Sequence, residues 1–326
     1  MKANRFAGAA ANSLVLCFYC LAAPLLAQQQ PSLGLQLQTN REVLLRLTAS
    51  NTASVRIDAA TQLPNWNPLL TLQSTGVNQH LDTAAPYLNS RFYRAEQLTG
   101  TNLTGDYLIT TNGNVVLHPM YHATLVLSWN GRTIYNDPDS IPTYPTIYNG
   151  LPKADLILIS HDHTDHFDSG QINAVTNSGT VLVVPGYVYS NSLSVAQRAI
   201  AAVLRYGDTT NLFGIGIEAV AATNSYHPPG RGNGYILTIA DKRIYLSGDT
   251  GPIPPLRTLP NIDVAFLAMN LPFTMSVTEA ADLVRAFRPK VVYPYHYQQS
   301  PAADLNLFKR LVGADLGIEV RLRKWY

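Results

Sequence analysis

Cysteine is nearly absent from this 326-residue chain, and the position of its two copies decides what that absence excludes. Cys17 and Cys20 both lie in an N-terminal segment with the marks of a secretory signal. Lys2 and Arg5 form a short basic start, an apolar stretch runs from Phe6 to Leu26, Ala27 offers a small residue for cleavage, and the polar QQQPS follows. Residues 1–27 are therefore expected to be removed on export to the periplasm or the extracellular space. The apolar stretch is long enough for an uncleaved anchor, but Asn12, Ser13 and Pro24 favour removal. What remains would hold no cysteine, so no disulfide braces it, and stability must come from core burial and bound metal. Net charge is missing as well. Losing Lys2 and Arg5 brings the 23 basic residues down to parity with the 21 acidic ones. Such a chain has no long-range attraction for nucleic acid. There is no internal repeat period.

What is present falls into two patterns. Residues 31–100 show short alternating runs, LQLQT, VLLRLTA, VRIDAA and RFYRAEQ, separated by Asn, Thr, Pro and Gly, which predicts a small antiparallel β module. The polar LTGTNLTGDY, residues 98–107, marks the expected boundary. From about residue 108 strands alternate with helical segments. VVLHPMYHATLVLSWNGRTIYNDP reads as two strands joined at Asn130-Gly131, ADLILIS and TVLVVPG as buried strands, and GYILTIADKRIYLSGD as a second hairpin. SVTEAADLVRAF has a cap at Ser276 or Thr278 and helical spacing up to Pro289. The mixture predicts an α/β layer architecture for residues 108–326.

The chemistry is concentrated in HDHTDH, residues 161–166, directly after a buried strand. In extended chain, side chains two apart share a face, so His161 and His163 can converge on one ion. Asp165 and His166 follow at a turn into an expected helix, where a second ion could be held. A solvated loop that happens to be rich in His is a poor account of three imidazoles and a carboxylate at this spacing.

The motif fits the His-X-His-X-Asp-His signature of the metallo-β-lactamase superfamily, and the chain resembles that family in order from about residue 108 to 326. SYHPPGRGNGYILTIADKRIYLSGDTG supplies His227 and Asp249, and MNLPFTMSVTEAADLVRAFRPKVVYPYHY supplies His296. HATLVLSWNGRTIYNDP is similar to the opening hairpin of the branch that includes ascorbate-6-phosphate lactonase and N-acyl-phosphatidylethanolamine phospholipase D. The resemblance implies a four-layer αβ/βα sandwich behind the β module. It implies one metal site from His161, His163 and His227, a second from Asp165, His166 and His296, and Asp249 bridging them. Asp137 matches an aspartate that steadies the His loop in the family; the alternative is a turn residue before Pro138. His122 is left open between substrate contact and a structural role, His118 is expected to be structural, and His80 to be exposed. No ligand position holds cysteine or glutamate, so zinc is expected, one or two ions, with manganese or iron as the alternatives.

Two ions a few ångströms apart would lower the pKa of a shared water toward about 7 and give a hydroxide nucleophile. Asp165 would orient it and could return a proton to the leaving group. The expectation is a secreted hydrolase acting on an ester, lactone or phosphodiester of a small-molecule or lipid-like substrate. The competing reading is a non-catalytic surface protein whose β module docks to polysaccharide, and the intact ligand set argues against it. RNA cleavage is disfavoured by the charge balance and export.

Overall fold

The computed structural model describes residues 31–326 apart from 51–52, 64–65, 99–102, 141–147, 149, 298–303, 324 and 326. The expected signal segment, residues 1–27, lies outside the described residues. The chain forms two compact units, one comprising Met1–Ile109 with Asn114–His118, the other Thr110–Gly113 with Pro119–Tyr326.

Among its described residues the first unit is built from strands, with one short 3-10 turn at Ala85–Tyr87. A sheet of β1 (Ser32–Leu37), β2 (Val43–Thr48) and β5 (Val77–Asp82) is antiparallel, with β2 in the middle. A second sheet pairs β3 (Ser54–Ala60) with β4 (Asn67–Gln73) and β6 (Phe92–Leu98), and β4 with β7 (Gly105–Ile109), which pairs with β8 (Asn114–Tyr121). The alternation in VLLRLT puts Val43, Leu45 and Leu47 on one buried face while Arg46 faces solvent. These three share a core with Leu33, Val55, Ile57, Leu69, Leu70 and Tyr93 from both sheets. Because β7 pairs with β4, β7 and β8 as far as His118 group with the module, and the division lies later in the chain than the composition change at 98–107.

In the second unit, β9 (Thr124–Trp129) and β10 (Arg132–Asn136) form the hairpin expected at Asn130-Gly131, where both residues take positive φ. The long strand expected ahead of that turn is broken at His122, whose φ of 54° ends β8 before β9 begins. From β10 the sheet continues in parallel through β11 (Leu156–Leu158), β12 (Val181–Pro185) and β13 (Ala201–Leu204). Helices α1 (Ser169–Val175), α2 (Gly186–Asn191) and α3 (Val195–Ala199) lie between these strands in sequence.

The other sheet repeats the plan. It begins with the antiparallel strands β14 (Thr209–Leu212), β15 (Ile215–Ala222), β16 (Gly232–Ile239) and β17 (Lys242–Leu246). It then runs parallel through β18 (Val264–Ala268), β19 (Val291–Tyr295) and β20 (Glu319–Val320). All five residues of β18 are buried, as a parallel strand covered on both faces requires. Helices α4 (Val277–Phe287) and α5 (Leu305–Val312) pack on each other. Ser276 caps α4 in a reciprocal pair with Glu279, and Arg288 closes it in the left-handed region before Pro289. The two sheets meet where the Tyr235 hydroxyl donates to Ile159 O and Asn233 N–H donates to Ser160 O, giving the expected αβ/βα sandwich. No helix among the described residues is long and apolar enough to cross a membrane.

Candidate metal centre

Crossover topology gathers the chemistry at one end of the strands. Asp137 follows β10, His161 lies just past β11, His227 sits between β15 and β16, Asp249 just past β17, and His296 directly after β19. Ligand-binding residues of α/β sheets belong at these carboxyl ends, where loops are free of the ladder.

Among the described residues three overlapping groups could hold a metal: His161 with His163 and His227; His122 with Asp165, His166 and His296; and His161 with His166 and Asp249. All seven residues that the family resemblance implies as ligands are thus brought together. His163 Nδ1 and His227 Nε2 stand 3.1 Å apart. Asp249 lies between the clusters, its Oδ2 3.9 Å from His161 Nε2 and 3.8 Å from His227 Nε2, its Oδ1 3.3 Å from His166 Nε2 and 3.4 Å from His296 Nε2. Asp165 Oδ2 is 3.5 Å from His296 Nε2 and 4.0 Å from His166 Nε2. His122, left open by the sequence, turns its Nε2 to within 3.0 Å of Asp165 Oδ2.

Outer partners fix which imidazole nitrogen faces inward. Asp137, fully buried, accepts from Ser160 N–H and the Ser160 hydroxyl, both at 2.7 Å, and from His166 Nδ1–H at 2.9 Å. Ser160 Oγ in turn accepts from His161 Nδ1–H at 3.0 Å. Asn224 Oδ1 accepts from His227 Nδ1–H at 2.9 Å. With Nδ1 protonated on each ring, the Nε2 lone pair is left to the site, an assignment made from the hydrogen-bond network. Gly248 makes this closeness achievable: it takes φ of 55°, and a Cβ there would come within 3.0 Å of the Ser160 Cβ.

The electrostatics suit a cation. Burial lowers the pKa of His161 well below the ordinary imidazole value and brings His122 and His227 down to about 4, so at neutral pH these rings hold the neutral form that ligates metal. Burial opposes ionisation of Asp249, yet His296 and His166 hold its carboxyl well below the usual range. For Asp165 burial is likewise overcome by the hydrogen bond from His122 and by the nearby His296 and His166. The Nε2 atoms of His161, His166 and His296 and Asp249 Oδ1 are buried without a hydrogen-bond partner. Orphaned buried polar atoms cost about 1–3 kcal/mol each. These four belong to the overlapping groups around Asp249 and fit bound divalent ions, which would satisfy them.

Sequence reasoning did not single out Ser160 or Asn224. Ser160 is adjacent to the motif and Asn224 stands three residues before His227, but each is recognised only from its bonds. Asp139 was also missed: it is buried, its Oδ1 has no hydrogen-bond partner, and burial pushes its carboxyl up to about 7. His118 gives its Nδ1 to Thr104 O in a structural bond, and His80 is half-buried on β5 rather than exposed, since it faces Leu45 across the β2–β5 pair.

Comparison with known proteins follows the same lines. Residues 117–296 match the model of the beta-lactamase superfamily domain. A UPF0173 metal-dependent hydrolase of Pyrococcus horikoshii is 35% identical over 49% of this chain and 74% of its own length, and one of Pyrobaculum islandicum is 32% identical over 62% and 94%. The crystal structure of a metal-dependent hydrolase from Parabacteroides distasonis superposes with a TM-score of 0.60 at 38% identity, covering 68% of this chain and 99% of that one. Igni18, a metallo hydrolase of Ignicoccus hospitalis, gives 0.56 at 26% identity over 64% and 95%. With the ordered ligand set, the sandwich and these relatives in agreement, the chain belongs to the metallo-β-lactamase superfamily and is a metal-dependent hydrolase.

Proposed function

We propose that this hydrolase is exported, uses zinc, and cleaves an ester, lactone or phosphodiester bond in a small-molecule or lipid-like substrate. The observation that carries the reading is the convergence of buried imidazole nitrogens on Asp249, in clusters that hold no cysteine among the described residues. Nitrogen and carboxylate donors of this kind suit zinc, with manganese or iron as the alternatives. His161, His163 and His227 would hold one ion, Asp165, His166 and His296 a second, and Asp249 would reach both. Bound ions supply Lewis acidity toward a carbonyl or phosphoryl oxygen and acidify water toward neutral pH.

The chain's own residues do the rest. Asp165 keeps 45% of its side chain exposed and so faces the approach to the site. Held ionised by His122 and His296, it accepts a hydrogen bond from the attacking water and sets its direction. Asp137 and Ser160 keep the rings of His161 and His166 in one orientation, so the acceptor geometry is built before substrate arrives. Export is supported by residues 1–27 and the cysteine-free remainder, and the balance of charge speaks against nucleic acid as a partner.

The test is metal analysis paired with a panel of lactones, carboxylic esters and phosphodiesters. Zinc-loaded, dialysed protein should keep one to two ions per chain, lose turnover to a chelator and regain it with zinc. Retention of less than about half an ion would sink the reading, because a structural or catalytic zinc site of this ligand count binds far more tightly than dialysis can strip.

A further inference from the structure

Three large apolar side chains stand in solvent beside the metal centre: Tyr226 is 44% exposed, Leu271 53% and Phe273 42%. They belong to two loops, NSYH at 224–227 and NLPFT at 270–274, which hold no Asp, Glu, Lys or Arg. The rings of Tyr226 and Phe273 pack at 5.3 Å between centroids, so the two loops form one lip.

The lip is tied to the ligands by a single side chain. Asn224 Nδ2–H donates to Phe273 O at 2.8 Å, while Asn224 Oδ1 accepts from the N–H of Tyr226 at 2.8 Å and of His227 at 3.0 Å and from His227 Nδ1–H at 2.9 Å. The loop beyond is braced by Phe273 N–H to Asn270 O at 2.9 Å and Asn270 N–H to Thr274 Oγ1 at 2.6 Å. An apolar surface held this firmly costs solvation free energy in every molecule that displays it. Contiguity with a metal ligand makes it part of the same site.

We propose that this lip receives an unbranched alkyl or acyl arm of the substrate, next to the bond cleaved at the metals, and so selects for apolar esters or alkyl phosphodiesters. The proposal rests on the hydrolase reading above and narrows its substrate class. Because the lip is uncharged, it recognises length and not charge. Each methylene laid on an apolar surface contributes up to about 0.8 kcal/mol when fully buried, and about half of that on an open one.

The experiment is calorimetric titration of the zinc-loaded chain with a series of straight-chain hydroxamic acids from two to ten carbons, whose head group binds metal and whose tail alone varies. Affinity should rise at least about thirtyfold across the series. In the double variant Leu271→Ser, Phe273→Ser, which changes only solvent-exposed side chains, the rise should shrink to less than about threefold, and Phe273→Leu should restore part of it. Equal affinity for all lengths, or a rise that the double variant keeps, would overturn the lip while leaving the hydrolase reading in place. Failure to retain zinc at all removes the zinc reading and this proposal with it. A dimer in solution that the double variant dissolves would assign the lip to a second copy of the chain and also overturn the proposal.

Discussion

Asp165 illustrates how much rests on one carboxylate. Its Oδ2 receives His122 at 3.0 Å and lies 3.5 Å from His296, so it is fixed on one side and open to solvent on the other. Asp165→Asn keeps the shape and loses the charge. Turnover should fall at least about a hundredfold, the low end of what a positioned acid-base group contributes. The ion held by His161, His163 and His227 should stay, as metal content measured beside the rate would show. His122→Ala should lower kcat about tenfold through a carboxylate left free to rotate, and His122→Gln, which still donates a hydrogen bond, should recover most of it. If Gln is no better than Ala, His122 is not an orienting donor. The grouping of the candidate ligands could be read from the sequence because spacing and order survive in one dimension. Ser160, Asn224 and the meeting of His122 with Asp165, 43 residues apart, could not, because these depend on which loops the sheets bring side by side.

At the scale of elements, the strongest test lies in the β module, away from any metal. Asp82, at the end of β5, is 1% exposed and accepts from Arg91 Nε at 2.8 Å, the Tyr93 hydroxyl at 2.9 Å and Ala84 N–H at 3.0 Å. Burial would raise its pKa, but the Arg91 charge and these bonds hold it below the ordinary carboxylate value. A carboxyl depressed in the folded state stabilises above its unfolded pKa of about 4, and that contribution disappears as pH falls through the folded value. Asp82→Asn should therefore cost about 3 kcal/mol at pH 7 and progressively less below pH 4, as thermal melts across pH would read. A gap that widens on acidification would refute the assignment.

The elements were legible where period and punctuation agree: β2 by its alternation, the β9–β10 hairpin by Asn-Gly, and α4 by Ser276 and Pro289. Strands β13 and β14 were not. Four-residue segments such as AAVL and TTNL carry no period of their own and become strands only because β12 and β15 offer edges to pair with.

Across the whole chain, the sequence carries the ordered family motifs of one unit and the alternating runs of the other, and the structure adds which backbone groups join distant parts. One such junction reaches the far end of the second unit. The His122 N–H donates to Trp325 O at 3.1 Å, and the His296 N–H donates to His122 O, also at 3.1 Å, with Trp325 itself wholly buried against Tyr295 and Phe266. Two residues of the second candidate cluster therefore hang in series from a tryptophan 29 positions beyond His296. A stop codon placed before Trp325, or an affinity handle fused close behind it, would be felt as a fault in metal occupancy more than as a frayed end. The handle belongs elsewhere on the chain.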